Sequence, residues 1–272
     1  MTLRNIAAMA AALALSQLGI TALAAENQDQ DDIKSAIIRY KSAIDANPNN
    51  PKTRLLLGRS YLMSGELTDA QVQFEHAIKL APDNSEGYVG LSRACMRKND
   101  FQGALNALKS AAKVDPNNSD IHMKLGQVLS RLQQSDEAIA EFRQTLKLNP
   151  NHAQAHSSLG AELGVKGDVD GQISEEKKAL ELAPENADSY YYLGGAYIAK
   201  GDTKQAAASL KKCVELDAKN GDAYRLLASV YAADKNFGDA IKCAETAVKL
   251  QPDNKAFKTT LEKIKLASDK NK

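Results

Sequence analysis

The sequence predicts an all-α chain, a solenoid of helix–turn–helix repeats, and three sets of residues carry that prediction. Pro48, Pro82, Pro116, Pro150 and Pro184 follow one another at steps of 34 residues, and after Ala218 the series resumes at Pro252. Leu57, Leu91, Leu125, Leu159, Leu193 and Leu227 keep the same step. So do Ala70, Ala104, Ala138, Ala206 and Ala240, with Gln172 as the exception. A fixed period in the 20–50-residue range is the mark of a stacked repeat array.

The elements follow in chain order. Residues 1–25 read as a cleaved signal peptide. Arg4 is the only charge before Glu26, an apolar stretch runs from Ile6 to Ile20, and Ala22-Leu23-Ala24 gives a small-residue cleavage pattern. The apolar stretch is too short and too polar at its middle for a spanning helix. Export to the periplasm or outside the cell is therefore expected, with no stable membrane insertion after cleavage. Residues 26–50 hold a linker and a lone half-repeat helix, with Ala36, Tyr40 and Ala43 in phase.

Six repeats are expected over 51–254, at 51–84, 85–118, 119–152, 153–186, 187–220 and 221–254. In the first, Leu57, Gly58 and Tyr61 make the stripe of one helix. Ser64-Gly65-Glu66 breaks it, and Ala70, Phe74, Ala77 and Ile78 line a second helix that Ala81-Pro82 ends. A residue before proline is driven out of the α region, so the stop is steric. Asn50, Asn84, Asn118, Asn186, Asn220 and Asn254 stand at the junctions, His152 replacing one of them. An Asn there can cap the helix that follows. Residues 255–272 form a polar capping helix and tail, with Lys258, Glu262, Lys263 and Lys265 suited to water.

Leu57-Gly58, Tyr61, Ala70, Phe74, Ala77 and Pro82, repeated as Leu193-Gly194, Tyr197, Ala206 and Leu210, resemble the tetratricopeptide repeat family. The resemblance implies a right-handed superhelix with a concave groove lined by the first helix of each repeat. Some members of the family clamp the C-terminal carboxylate of chaperones with Lys, Asn and Arg. The matching positions here, Leu55 and Arg59, Gly90, Asp120 and Lys124, do not carry that set.

Charge narrows the partners. The chain has 35 Lys and Arg against 34 Asp and Glu, so it lacks the basic excess that nucleic acid requires. No catalytic set stands out, and no cofactor or metal is expected. His152 and His156 are spaced i, i+4 but have no third ligand in phase. Asp168-Val169-Asp170-Gly171 resembles part of a calcium loop, but Lys166 and Lys177 fill positions that need carboxylates. The glycines from Gly160 to Gly171 lack the Gly-Lys-Ser/Thr of a phosphate loop. Among the three cysteines, Cys95 and Cys213 fall in core phases and Cys243 on an outer flank. A Cys213–Cys243 bridge is the one pairing left open.

The candidate site is the groove. Positions 2, 5, 9 and 12 of each repeat lie about 130° round from the core stripe, at ~100° per residue. They are expected to face inward without burial. In the first three repeats they place Leu55, Arg59, Leu62, Val89, Arg93, Met96, Met123 and Gln127 there, with Arg97 and Arg131 at the edge. Such a surface suits a peptide carrying carboxylates. In the last three repeats Tyr191, Tyr192, Gly195, Ile198 and Arg225 form a smoother half. The fourth repeat departs from the pattern: Gln172 replaces the small Ala and Glu176 the large apolar residue. Residues 153–186 are therefore expected to be a soft joint between two stiffer halves. The function these readings support is a non-enzymatic, exported scaffold that holds a protein or peptide partner, in envelope assembly, secretion or complex maturation. The alternative is a structural protein that associates with itself.

Overall fold

A computed structural model describes residues 30–271. The expected signal peptide lies outside the described residues. Within them the chain is helical: α1 spans 30–46, followed by α2 (Pro51–Ser64), α3 (Leu67–Leu80), α4 (Ser85–Arg97) and α5 (Phe101–Val114). Then come α6 (Ser119–Arg131), α7 (Ser135–Leu148), α8 (Ala153–Val165), α9 (Val169–Leu182), α10 (Ala187–Lys200) and α11 (Thr203–Leu216). The last are α12 (Gly221–Ala233), α13 (Phe237–Leu250) and α14 (Lys255–Lys270). No strand occurs among the described residues. The chain divides into two compact units, Met1–Pro116 and Asn117–Lys272. Each is a run of helix hairpins, an all-α solenoid architecture.

Side-chain caps start the first helix of every hairpin. The Oδ1 of Asn50 accepts from the Lys52 and Thr53 amides at 3.0 and 3.3 Å. Asn84, Asn118, Asn186, Asn220 and Asn254 accept in the same way. His152, the exception in sequence, still caps: its Nδ1 accepts from the Ala155 amide at 3.2 Å. Each satisfies a donor that the helix start leaves orphaned. The turn into the second helix always carries one residue with positive φ. Gly65, Gly167 and Gly201 sit at φ 89°, 82° and 81°, and Asn99, Gln133 and Lys235 at about 60°. All six occupy the same place in the period. Glycine reaches that region without a Cβ clash, whereas the other three residues hold it at a cost.

Packing then fills one large slot per hairpin. In unit 1 Phe74 and Leu108 are fully buried, as are Phe142 and Leu210 in unit 2. Unit 1 closes its start with α1, whose Ile37 is buried in a cluster with Leu57, Tyr61 and Phe74, flanked by Ile33, Tyr40 and Ile44. Unit 2 closes its end with α14, which buries Phe257 and Ile264 and keeps Lys258, Glu262, Lys263 and Lys265 in solvent.

All three cysteines are free, so Cys213 and Cys243 are not bridged. Cys213 is buried, its thiol pushed up to about 11 by desolvation, and Asn220 Nδ2 donates to its sulfur at 3.8 Å. Cys243 is half-buried. The boundary between units falls at Pro116 and Asn117, so residues 153–186 lie inside unit 2.

Candidate functional site: the first-helix face

In unit 1 the expected groove is partly core. Leu55 and Leu62 are 4% and 8% exposed, in the cluster that also holds Ile37 and Ala94. The physical reason is that first helices pack side by side, α4 against α2. Positions 5 and 12 therefore enter the seam between them instead of an open trough. Val89 and Met96 are half-buried. The arginines are more engaged than their sequence suggests. Arg59 pairs with Glu86 of the next first helix at 2.9 Å. Arg97 donates to the Leu62 carbonyl at the end of α2, using the side chain to satisfy a helix C-terminus. Arg93 stands exposed.

In unit 2, Met123 is likewise buried, at 4% exposure, Gln127 is half-buried, and Arg131 is exposed. Further along, the face opens. Tyr192 and Ile198 are 38% and 39% exposed. Tyr191 packs edge-on against Tyr192 with ring centres 5.5 Å apart. Gly195 has open space where a Cβ would project, leaving backbone accessible to a partner. Arg225, half-buried, lies 3.5 Å from Asp222. Between α8 and α10 this face sinks into a cleft of about 510 Å³, lined among others by Gln154, Ser157, Ala161, Asn186, Asp188 and Tyr192. A second cleft, of about 550 Å³, lies where Ser229, Ala232 and Phe237 meet Ile264 of α14.

Beneath the first cleft is a polar group that the sequence places in an apolar slot. Glu176 is fully buried at the position Phe142 and Leu210 hold in their hairpins. Desolvation pushes its carboxyl up to about 8. Ser189 and Ser157 favour the charged form, Asp188 and Glu175 oppose it, and burial wins. Ser157 Oγ donates to Oε1 at 3.3 Å. Oε2 and the Ser189 hydroxyl are both buried, and neither has a hydrogen-bond partner of normal geometry. Ser157 and Ser189 stand at positions that carry Leu55, Val89 and Met123, or Ile121 and Ala155, in other repeats. That coincidence of polar residues is the sequence signal for the nest.

The aromatic position of the first helix shows a related exchange. His122 and His156 meet Glu141 and Glu175, each through Nδ1 at 2.6 Å. Repeats with Tyr88, Tyr190 or Tyr224 there carry Ala107, Ser209 or Cys243 opposite. A long acid fills the space that the smaller ring leaves. Among the described residues no group of three or more His, Cys, Asp or Glu is placed to hold a metal ion, and no helix is long and apolar enough to cross a membrane.

A helix-hairpin array with this period, these caps and these packed slots defines a tetratricopeptide-repeat protein. The family profile described as the cilia and flagella-associated protein 70 C-terminal domain matches residues 4–226, and a tetratricopeptide repeat profile matches 197–264. The chain belongs to this family of tetratricopeptide-repeat domains. No curated protein gives a significant match. Among solved structures, the Cut9–Hcn1 heterotetramer of the APC/C superposes with a TM-score of 0.70 at 19% identity. That match covers 85% of this chain and 46% of the other, so the chain spans under half the length of that relative. PilF of Pseudomonas aeruginosa gives 0.69 at 14% identity, covering 79% and 96%. YrrB, a TPR protein with an unusual peptide-binding site, gives 0.59 at 23%, covering 68% and 95%. At these identities the likeness is one of fold.

Proposed function

We propose that this protein is an exported interaction scaffold, which binds rather than transforms, and holds a segment of a protein partner on the first-helix face of α8, α10 and α12. The single observation that carries the reading is the cleft between α8 and α10, edged by the exposed Tyr192. Open backbone at Gly195 and an exposed Ile198 continue the same surface. Aromatic side chains beside an accessible backbone are the material of protein recognition. The peptide-binding site of YrrB is a fold-level analogy in support. Export rests on the amino-terminal sequence pattern, and the work of such a scaffold outside the cytosol is envelope assembly, secretion or complex maturation.

A photo-crosslinking amino acid placed at Gln154 or Ile198 in cells tests the binding face, with Lys204 on the second helix α11 as control. One discrete partner adduct from the first two and none from Lys204 is the expected result. Adducts only between copies of this chain would favour self-association, and adducts from Lys204 alone would remove the face from consideration. For export, the protein purified from the envelope fraction is expected to begin at Ala25 or Glu26.

A further inference from the structure

The cleft between α8 and α10 has a definite chemistry. Its lining includes Tyr192, Asp188 and Ser157, whose hydroxyl donates to the buried Glu176. The groups that face Glu176 come from three helices. From α8 there is Ser157; the neighbouring His156 is held away by Glu175 and the Pro150 carbonyl. From α9 comes Glu175 itself, paired also with Lys178, and from α10 come Asp188, Ser189 and Tyr192. Asp188 and Glu175 both work against ionisation of Glu176. The nest thus holds a carboxyl group and two hydroxyls, with Glu176 Oε2 and the Ser189 hydroxyl oxygen both unpartnered, and the cleft lining contributes no positive side chain.

We propose that this cleft receives the cationic side chain of a basic partner peptide, seated on the Tyr192 ring and against Asp188, with Glu176 behind Ser157 as a second, inducible negative group. This rests on the reading of the face as a binding surface and adds the chemistry of the residue it recognises. A cation over a tyrosine face is attracted by the ring quadrupole, and a planar guanidinium also pairs with a carboxylate in two-point fashion. Arrival of the cation supplies the charge that Glu176 lacks. The carboxyl then releases its proton to solvent, and the carboxylate remains with Ser157. An opposite charge within about 4–6 Å lowers a carboxyl titration by about 1–3 pH units. Glu176 titrates at about 8 in the free protein. Affinity is therefore expected to rise with pH up to about 8 and to level off beyond it.

The probe is a blocked Gly-Ala-Arg-Ala-Gly peptide, beside its lysine counterpart and its neutral citrulline and norleucine isosteres, titrated into the isotopically labelled mature chain. The Arg and Lys peptides are expected to shift the Tyr192 and Asp188 amide signals and to lower the Glu176 carboxyl midpoint by about 1–3 pH units. The neutral peptides should do neither. In Glu176→Gln, which keeps the shape and neutrality of the protonated acid, binding of the Arg peptide should persist but lose its rise with pH. Equal binding of citrulline, an unmoved Glu176 midpoint, or the same pH dependence in Glu176→Gln would each overturn the proposal. So would failure of every peptide to bind. A discrete cross-linked partner at Gln154 alongside any of those results would leave the scaffold reading standing and remove only the basic side chain.

Discussion

Two neighbouring hairpins of unit 2, α6–α7 and α8–α9, share a backbone plan and differ in what fills it. Both carry a histidine on the first helix bonded at 2.6 Å to a glutamate on the second. Both bury the residue that follows that glutamate, yet in α7 that residue is Phe142 and in α9 it is Glu176. The first slot is stabilised by area removed from water. The second is filled by a carboxyl group that remains neutral because burial disfavours its charge. The comparison teaches that the hairpin geometry is set by caps, turn and small residues, while the slot residue sets how stability responds to pH.

The largest test of that difference is truncation of the apolar slot. Phe142→Ala should cost about 3–5 kcal/mol in urea unfolding, and a loss below about 1 kcal/mol would mean the slot collapses around the void. Glu176→Leu should act in the opposite sense. The folded state keeps the Glu176 proton up to about pH 8, whereas the unfolded chain loses it near its ordinary value of 4.5. Between those limits the folded state binds more protons, so the contribution of Glu176 to stability is greatest below pH 4.5 and falls as pH rises toward 8. The shift corresponds to a penalty on the order of 5 kcal/mol at alkaline pH. Thermal melts should therefore show Glu176→Leu gaining stability at pH 8 and little or nothing at pH 4. A gain of equal size at both would detach the effect from the proton.

Hydrogen exchange sharpens the same contrast at smaller amplitude. At pH 8 the amides of α8 and α9 should open faster than those of α6 and α7, and acidification should narrow the gap. At the turns, Gln133→Gly should raise stability by about 0.5–1 kcal/mol, because a side chain at positive φ costs about 1–2 kcal/mol and glycine returns part of that as chain entropy. Chemical denaturation resolves a change of that size. Smallest of all, Arg59→Glu should change stability by less than about 1 kcal/mol, since its pair with Glu86 is exposed.

Much of the fold was legible because its determinants recur at one spacing. The junction asparagines announced caps, Gly65 announced a turn, and Phe74 and Leu210 announced the slot. The site was less legible, for reasons that lie in partners distant along the chain. Arg59 meets Glu86, which is 27 residues away, so its charge looked free in sequence. Rotation about a single helix puts Leu55, Leu62 and Met123 on an inward face, but a second first helix lies alongside and covers them. In sequence Glu176 stands out as a departure from the repeat pattern, which implies softness there. Its two serines come from α8 and from the following hairpin, and only the folded chain brings them together.

The six turns have one more consequence. Each asks one residue to adopt the backbone region that mirror-image amino acids prefer, at the same place in every period. The chain thus tests handedness once per repeat. In a chemically synthesised copy, D-alanine at Gly201, where no atom lies near the missing Cβ, would fit the fold better than L-alanine. Inside either flanking helix the preference would reverse.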